Sequence, residues 1–189
     1  MKIKKNKFVI VSFLIILGGF ILNFGQKKIF AKSVNEIPQE YMRKPISYTK
    51  SSEIKPYPHG MSAKKDKIVV SLKKQRAYLI RGRKTRYEFY VSTGAHNSTP
   101  KGHFRINTYR APWFYSASEK MGARFAVGWL QGGLYLFHEN PRNIHHKLIK
   151  KVANKLGKKP TSHGCIHLST SDANWFYQKA PTGLRVIIK

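Results

Sequence analysis

From Lys67 onward the chain is written in short β-branched and aromatic runs separated by tight-turn sequences, a pattern that rules out a helical bundle. Ile68-Val69-Val70-Ser71-Leu72, Arg76-Ala77-Tyr78-Leu79-Ile80 and Tyr87-Glu88-Phe89-Tyr90-Val91 are spaced by Lys73-Lys74-Gln75 and Arg81-Gly82-Arg83-Lys84, which reads as a meander of hairpins. Gly102 to Asn107 alternates with period two. Runs ending at Leu130 and starting at Leu134 flank Gln131-Gly132-Gly133, a hairpin signal, and Leu184 to Ile188 supplies a last strand. Helical spacing occurs twice. Ile144, Leu148, Val152 and Leu156 recur four apart and stop at Gly157, and a second helix spans about Ser171 to Lys179, with Ser171 or Thr170 as cap, Asp172 in the first turn and Pro181 closing it. The expectation is a mainly β domain with two or three short helices.

The N-terminus carries a different signal. A basic head, residues 1–7, precedes an uncharged run of 17 residues from Phe8 to Phe24, followed by Gln26-Lys27-Lys28. Lysines ahead of an apolar run hold that end in the cytoplasm, so everything after it faces outward whether the segment is kept or cut. Residues 8–25 therefore read as a membrane anchor or a signal segment. Ile29 is a poor residue at the third position before a cut after Ala31, which favours an anchor. Residues 26–66, punctuated by Pro38, Pro45, Pro56 and Pro58 and without sustained apolar periodicity, read as an extracellular stalk, and 67–189 as one domain.

Charge narrows the partners. The chain has 36 Lys and Arg against 8 Asp and Glu, a net +28; residues 66–189 alone hold 23 against 5, or +18. Such a field attracts polyanions. In an exported chain no nucleic acid is expected, and the candidates are anionic wall polymers or lipid head groups.

The lone cysteine, Cys165, lies in Thr161-Ser162-His163-Gly164-Cys165-Ile166-His167, with His138 upstream at the end of an apolar run. One thiol cannot form an internal disulfide, and polar residues on both sides argue against a purely packing role. A nucleophilic thiol needs a base or a positive environment, and His138, His163 and His167 are all candidates by spacing. In an extended segment His163 and His167 would share the face of Cys165. Gly164 permits a tight loop whose N–H groups converge on one point, as an oxyanion site requires. No metal site is expected, because these residues match no zinc-ligand spacing and His145 and His146, being adjacent, diverge.

These residues resemble the L,D-transpeptidase catalytic domain (YkuD) of bacterial cell-wall enzymes. The resemblance spans about residues 67–189 and rests on His138 followed by Ser162-His163-Gly164-Cys165, on Val91-Ser92-Thr93-Gly94 with Thr99-Pro100-Lys101-Gly102-His103-Phe104, and on Ser171-Asp172-Ala173 with Trp175-Phe176-Tyr177. It implies a β-rich, sandwich- or barrel-like catalytic fold and a cofactor-free reaction on peptidoglycan tetrapeptide stems. Cys165 would attack the carbonyl of the third residue, expel D-alanine and form a thioester that an acceptor amine then resolves. His138, held by the Glu139 carbonyl, would be the base; N–H groups of His163, Gly164 and Cys165 would form the oxyanion site, with Ser162 supporting the loop. Two positions depart from the family pattern. Glu139 stands where Gly or Ser is common, and its carboxylate is expected to raise the pKa of His138. His167 stands where Arg is usual, which predicts pH-dependent handling of the stem. Two alternatives are an L,D-carboxypeptidase or endopeptidase that uses water as acceptor, and a non-catalytic basic wall-binding module.

Overall fold

The computed structural model describes residues 35–189. The basic head, the apolar segment 8–25 and the first part of segment 26–66 lie outside the described residues; among those described, no helix is long and apolar enough to cross a membrane. Within the described residues nine strands form two sheets. The first contains β1 (Asp66–Ser71), β2 (Arg76–Arg81), β3 (Lys84–Tyr90), β4 (Gly102–Arg105) and β9 (Arg185–Ile188) in the order β3-β2-β1-β9-β4. The second contains β5 (Arg110–Ser116), β6 (Met121–Leu130), β7 (Tyr135–Glu139) and β8 (Ile166–Leu168) in the order β5-β6-β7-β8. Each predicted hairpin is antiparallel: β1 with β2, β2 with β3, and β6 with β7 across Gln131-Gly132-Gly133. The chain returns to each sheet in parallel, β9 beside β1 and β8 beside β7.

Alternation along the strands puts Ile68, Val70, Leu79, Phe89 and Val186 of the first sheet against Val127, Trp129, Phe137 and Ile166 of the second. Helix α2 (Thr170–Lys179) closes this core. Its Phe176 ring lies 4.7 Å from Phe137 and 6.2 Å from Phe89, so it touches both sheets. Truncating such a residue to alanine costs about 3–5 kcal/mol. The cap of α2 is Ser169, one residue before Thr170 and two before Ser171, the predicted alternatives, and its hydroxyl accepts from the Asp172 N–H at 3.1 Å.

The other predicted helix is shorter than its spacing suggests. Only Lys150–Ala153, here α1, is helical. The Asn143 side-chain oxygen accepts from the N–H groups of His145 and Lys147, His146 takes a left-handed φ of 57°, and Ile144 is left exposed. An asparagine-centred turn thus outcompetes the first helical turns. Gly157 ends the segment at φ 68°, where a Cβ would stand 2.8 Å from the Tyr90 ring.

The described part of segment 26–66 does not stand free as a stalk. Met42, Ser52 and Glu53 are buried, and Met42 packs with Tyr90 and Leu156 over the first sheet. The segment is tied down by Asp172, a buried carboxylate that accepts from Ser52 Oγ (2.5 Å), Tyr57 Oη (2.9 Å) and Tyr87 Oη (2.9 Å). The Tyr48 and Thr49 carbonyls accept the N–H groups of Thr170 and Ser171 at the start of α2. Hydrophobic periodicity cannot reveal such a segment, because polar bonds to a few buried partners hold it.

Candidate active site

Strand pairing assembles the site. In the parallel β7–β8 register Phe137 faces Ile166 and His138 faces His167, with ring centroids of the two histidines 4.8 Å apart. Cys165 immediately precedes β8, and side-chain alternation returns it to the face of His167. All three residues line one cavity of about 430 Å³, which also receives Phe114, Tyr135, Ser162 and His163. Phe114 meets the His138 ring edge-on at 5.2 Å.

His138 is 5% exposed, and its Nδ1 lies 2.6 Å from the carbonyl oxygen of Glu139. An imidazole nitrogen facing a carbonyl carries the proton and donates, which leaves Nε2 as an acceptor. Burial lowers the pKa of His138 to about 4, outweighing the opposite pull of Glu139. The expected upward pull of Glu139 is present, but burial outweighs it. Neighbouring strand residues point to opposite faces, and the Glu139 carboxylate is fully buried away from the cavity, where Arg124 and Arg142 neutralise it. Arg124 donates from Nε at 2.8 Å, Arg142 from Nε at 2.6 Å and Thr170 from Oγ1 at 2.9 Å. Despite the burial that opposes it, these donors hold the carboxyl below its usual range. The carboxylate of Glu139 therefore cannot touch a substrate.

Burial also raises the Cys165 thiol to about 11, with the Leu136 N–H as a smaller opposing influence. The resting pair is thiol and neutral imidazole. His167 is buried as well, with Nδ1 lacking a partner among the described residues. Burial first, then His138 and His163, hold its pKa well below the ordinary histidine value. A group so held does not charge near neutral pH, which removes the expected route from His167 titration to pH-dependent stem handling.

The loop before Cys165 is fixed from two sides. Thr161 and Ser162 donate their N–H groups to the Thr93 carbonyl, and Ala95 donates to that of Ser162. Thr99 Oγ1 accepts from the Gly94 N–H at 2.7 Å and donates to the Gly164 carbonyl at 2.9 Å. Ser162 Oγ donates to the Cys165 carbonyl at 2.5 Å and accepts from the Gly164 N–H at 3.0 Å. That last bond occupies one of the three N–H groups expected at an oxyanion site, leaving those of His163 and Cys165. Gly164 has φ 140°, and a Cβ there would lie 2.6 Å from the Tyr135 ring and 3.0 Å from the Ser98 carbonyl oxygen. No larger residue fits. His163 reaches the same cavity from its solvent side. Its side chain is 71% exposed, and Nδ1 lies 3.0 Å from Glu119 Oε2 on the turn between β5 and β6.

Sequence reasoning did not single out Arg124, Arg142 or Glu119, which lie far from the cysteine in the chain, and it named Thr170 only as a helix cap. Of the aromatic residues upstream of the cysteine, Phe114 and Tyr135 line the cavity, whereas Trp129 packs in the core against Phe104 and Phe137. Among the described residues no cluster of three or more His, Cys, Asp or Glu has metal-binding geometry.

The family profile of the L,D-transpeptidase catalytic domain, YkuD, matches residues 65–188. The Bacillus subtilis (strain 168) protein YciB, whose name assigns it provisionally to the L,D-transpeptidases, is 40% identical over 125 residues, covering 64% of this chain and 64% of that protein. Among solved structures, an L,D-transpeptidase from Mycobacterium smegmatis aligns with a TM-score of 0.54 at 20% identity, over 66% of this chain and 58% of the other. L,D-transpeptidase 3 from Mycobacterium tuberculosis, solved with a faropenem-derived adduct, gives a TM-score of 0.51 at 21% identity, over 66% and 60%. The chain spans somewhat less than two thirds of the length of these relatives, and the structural likeness speaks to the fold.

Proposed function

The chain belongs to the L,D-transpeptidase catalytic domain (YkuD) family, and from that premise we propose that it is a peptidoglycan L,D-transpeptidase with Cys165 as nucleophile and His138 as base. The observation that carries this reading is the pinned, neutral His138, which shares a cavity with the one cysteine and has Nε2 available to accept its proton. Cys165 Sγ attacks the carbonyl of the third stem residue while His138 takes the thiol proton. That proton then passes to the departing D-alanine amine as the peptide bond breaks, leaving a thioester. An acceptor amine attacks the thioester, gives its proton to His138 and forms the new amide, and the sulfur recovers the proton. The N–H groups of His163 and Cys165 stabilise the oxyanion of each tetrahedral intermediate, with Ser162 locking the loop. Because the peptide-bond energy is carried by the thioester, neither metal nor nucleotide enters the scheme. The reaction lies outside the cytoplasmic membrane, with residues 8–25 as anchor or signal segment, and the basic surface holds the domain near anionic wall polymers or lipid head groups.

The test is intact-mass analysis after incubation with a carbapenem, followed by product analysis with a disaccharide-tetrapeptide. A single adduct on the wild type, absent from Cys165→Ala, together with cross-linked dimers and released D-alanine, is the expected result. An equal adduct on Cys165→Ala overturns the nucleophile. Tripeptide and D-alanine without dimers would make the protein a hydrolase instead.

A further inference from the structure

The cavity has an electrostatic character opposite to that of the chain around it. The protein carries 36 Lys and Arg, yet among the described residues none lines the cavity of Cys165, and the only carboxylate that does is Glu119. Residues 66–189 hold four other carboxylates. Asp66, Glu88, Glu139 and Asp172 are all buried and bound to arginines, backbone N–H groups or hydroxyls. Glu119 alone is solvent-facing, with its side chain 42% exposed on the turn joining β5 to β6. Its Oε2 lies beside His163 Nδ1, two residues before the nucleophile. Ser116 Oγ accepts the Glu119 N–H at 3.3 Å, holding the turn. The one formal negative charge at the cavity mouth is thus fixed beside the loop that carries Cys165.

We propose that Glu119 is the acceptor-binding residue of the transfer step, drawing the ammonium group of the incoming amine into the cavity. The proposal rests on the transpeptidase reading above and names the chemistry of its second substrate. A primary amine is a cation in neutral water, and a domain of net charge +18 repels it. Only a local carboxylate reverses that field over the last few ångströms, where salt does not screen it. Once docked, the ammonium loses one proton to bulk water through the open rim, since a nitrogen without a lone pair cannot attack. The free amine then forms the C–N bond, its second proton passes to His138, the C–S bond breaks, and the departing thiolate takes the proton from His138. Water needs no such docking, so Glu119 biases the thioester toward amine transfer over hydrolysis.

The experiment uses the full chain in detergent, loaded with tetrapeptide donor, and compares wild type with Glu119→Gln and Glu119→Asp. Two acceptors are offered at neutral pH: cadaverine, a dication, and hydroxylamine, which is uncharged. Amide and hydroxamate products are read by mass spectrometry, and the donor thioester by intact mass. For Glu119→Gln the KM for cadaverine is expected to rise about 5- to 10-fold, the effect of removing one partly exposed charge pair. Its kcat and the KM for hydroxylamine should stay within about twofold, and Glu119→Asp should recover most of the cadaverine KM. An unchanged cadaverine KM, or an equal rise for both acceptors, overturns the proposal while leaving the transpeptidase reading intact. Absence of a donor thioester on the wild type overturns both together.

Discussion

Because burial holds the Cys165 thiol up at about 11 and the His138 imidazole down at about 4, transferring the proton before substrate arrives is uphill. The two values lie about seven pH units apart, or about 9.5 kcal/mol at 1.36 kcal/mol per unit. Attraction between thiolate and imidazolium at contact returns about 4 kcal/mol at an effective dielectric of about 20. The ion pair therefore sits about 5.5 kcal/mol above the neutral pair, populated in roughly one molecule in ten thousand. The assay is alkylation of the single cysteine by iodoacetamide across pH. Its rate should climb about tenfold per pH unit between about pH 7 and 10, following the free thiolate fraction. His138→Ala should leave that climb largely in place, because the small reagent reads the thiolate and not the base. Acylation by a carbapenem should instead fall by about 10²- to 10⁴-fold, because there the proton moves in the transition state. A flat alkylation rate from about pH 5 to 9 would mean a preformed ion pair and would refute the reasoning.

Three further outcomes follow from the same geometry. Gly164→Ala should cut carbapenem acylation by about 10²-fold or more, since a Cβ 2.6 Å from the Tyr135 ring must displace the loop; wild-type rates would show that the loop yields freely. Glu53 is buried, and desolvation raises its pKa to about 7. A carboxyl raised in the folded state contributes stability that is full below its ordinary value of 4.5 and is lost as pH rises through 7, up to about 3 kcal/mol. Glu53→Gln should therefore raise Tm at pH 8 by several degrees while changing it little at pH 4.5, and parallel pH curves would contradict this. Because burial keeps His167 uncharged, rate–pH profiles of wild type and His167→Gln between about pH 5 and 8 should have the same shape, whatever their heights. A step present only in the wild type would restore His167 as a titrating group.

What was legible in the sequence was whatever repeats or sits together. Short β-branched and aromatic runs from Ile68 to Val91 and the glycine-rich hairpin at 131–133 gave strands that pair as expected. The residues around Cys165 marked the loop because they are contiguous. Helical spacing misled at Ile144, where Asn143 builds a turn of its own and leaves the isoleucine in solvent. The packing of residues 37–57 was hidden for a different reason. Its main anchor is a hydrogen-bonded cluster around Asp172, more than a hundred residues away, in a stretch whose prolines read as linker. Charge state was the least legible property, since the sequence gives residue types but not burial. Glu139 and His167 both looked titratable beside the base, and both are buried in forms fixed by their surroundings.

Glu139 shows how a charge beside His138 is offset by its own partners. Side-chain alternation aims His138 into the cavity and the Glu139 carboxylate away from it, where it binds Arg124 from β6 and Arg142 from the following turn. Arg142 is itself paired with Gly122 through two backbone hydrogen bonds of 2.8 and 2.7 Å, and Asn140 donates both its N–H and its Nδ2 to the Leu168 carbonyl at 3.0 Å. The peptide after Glu139 is thus gripped from β6 on one side and β8 on the other, and its carbonyl has little freedom except to face Nδ1 of His138. Beyond an upward pull on the His138 pKa that burial outweighs, the carboxylate contributes the rigidity of that carbonyl. Such a residue acts on His138 through its backbone position. Any side chain that keeps the turn folded should preserve the imidazole tautomer, and one that leaves Arg124 and Arg142 without a counter-ion should lose it through local unfolding.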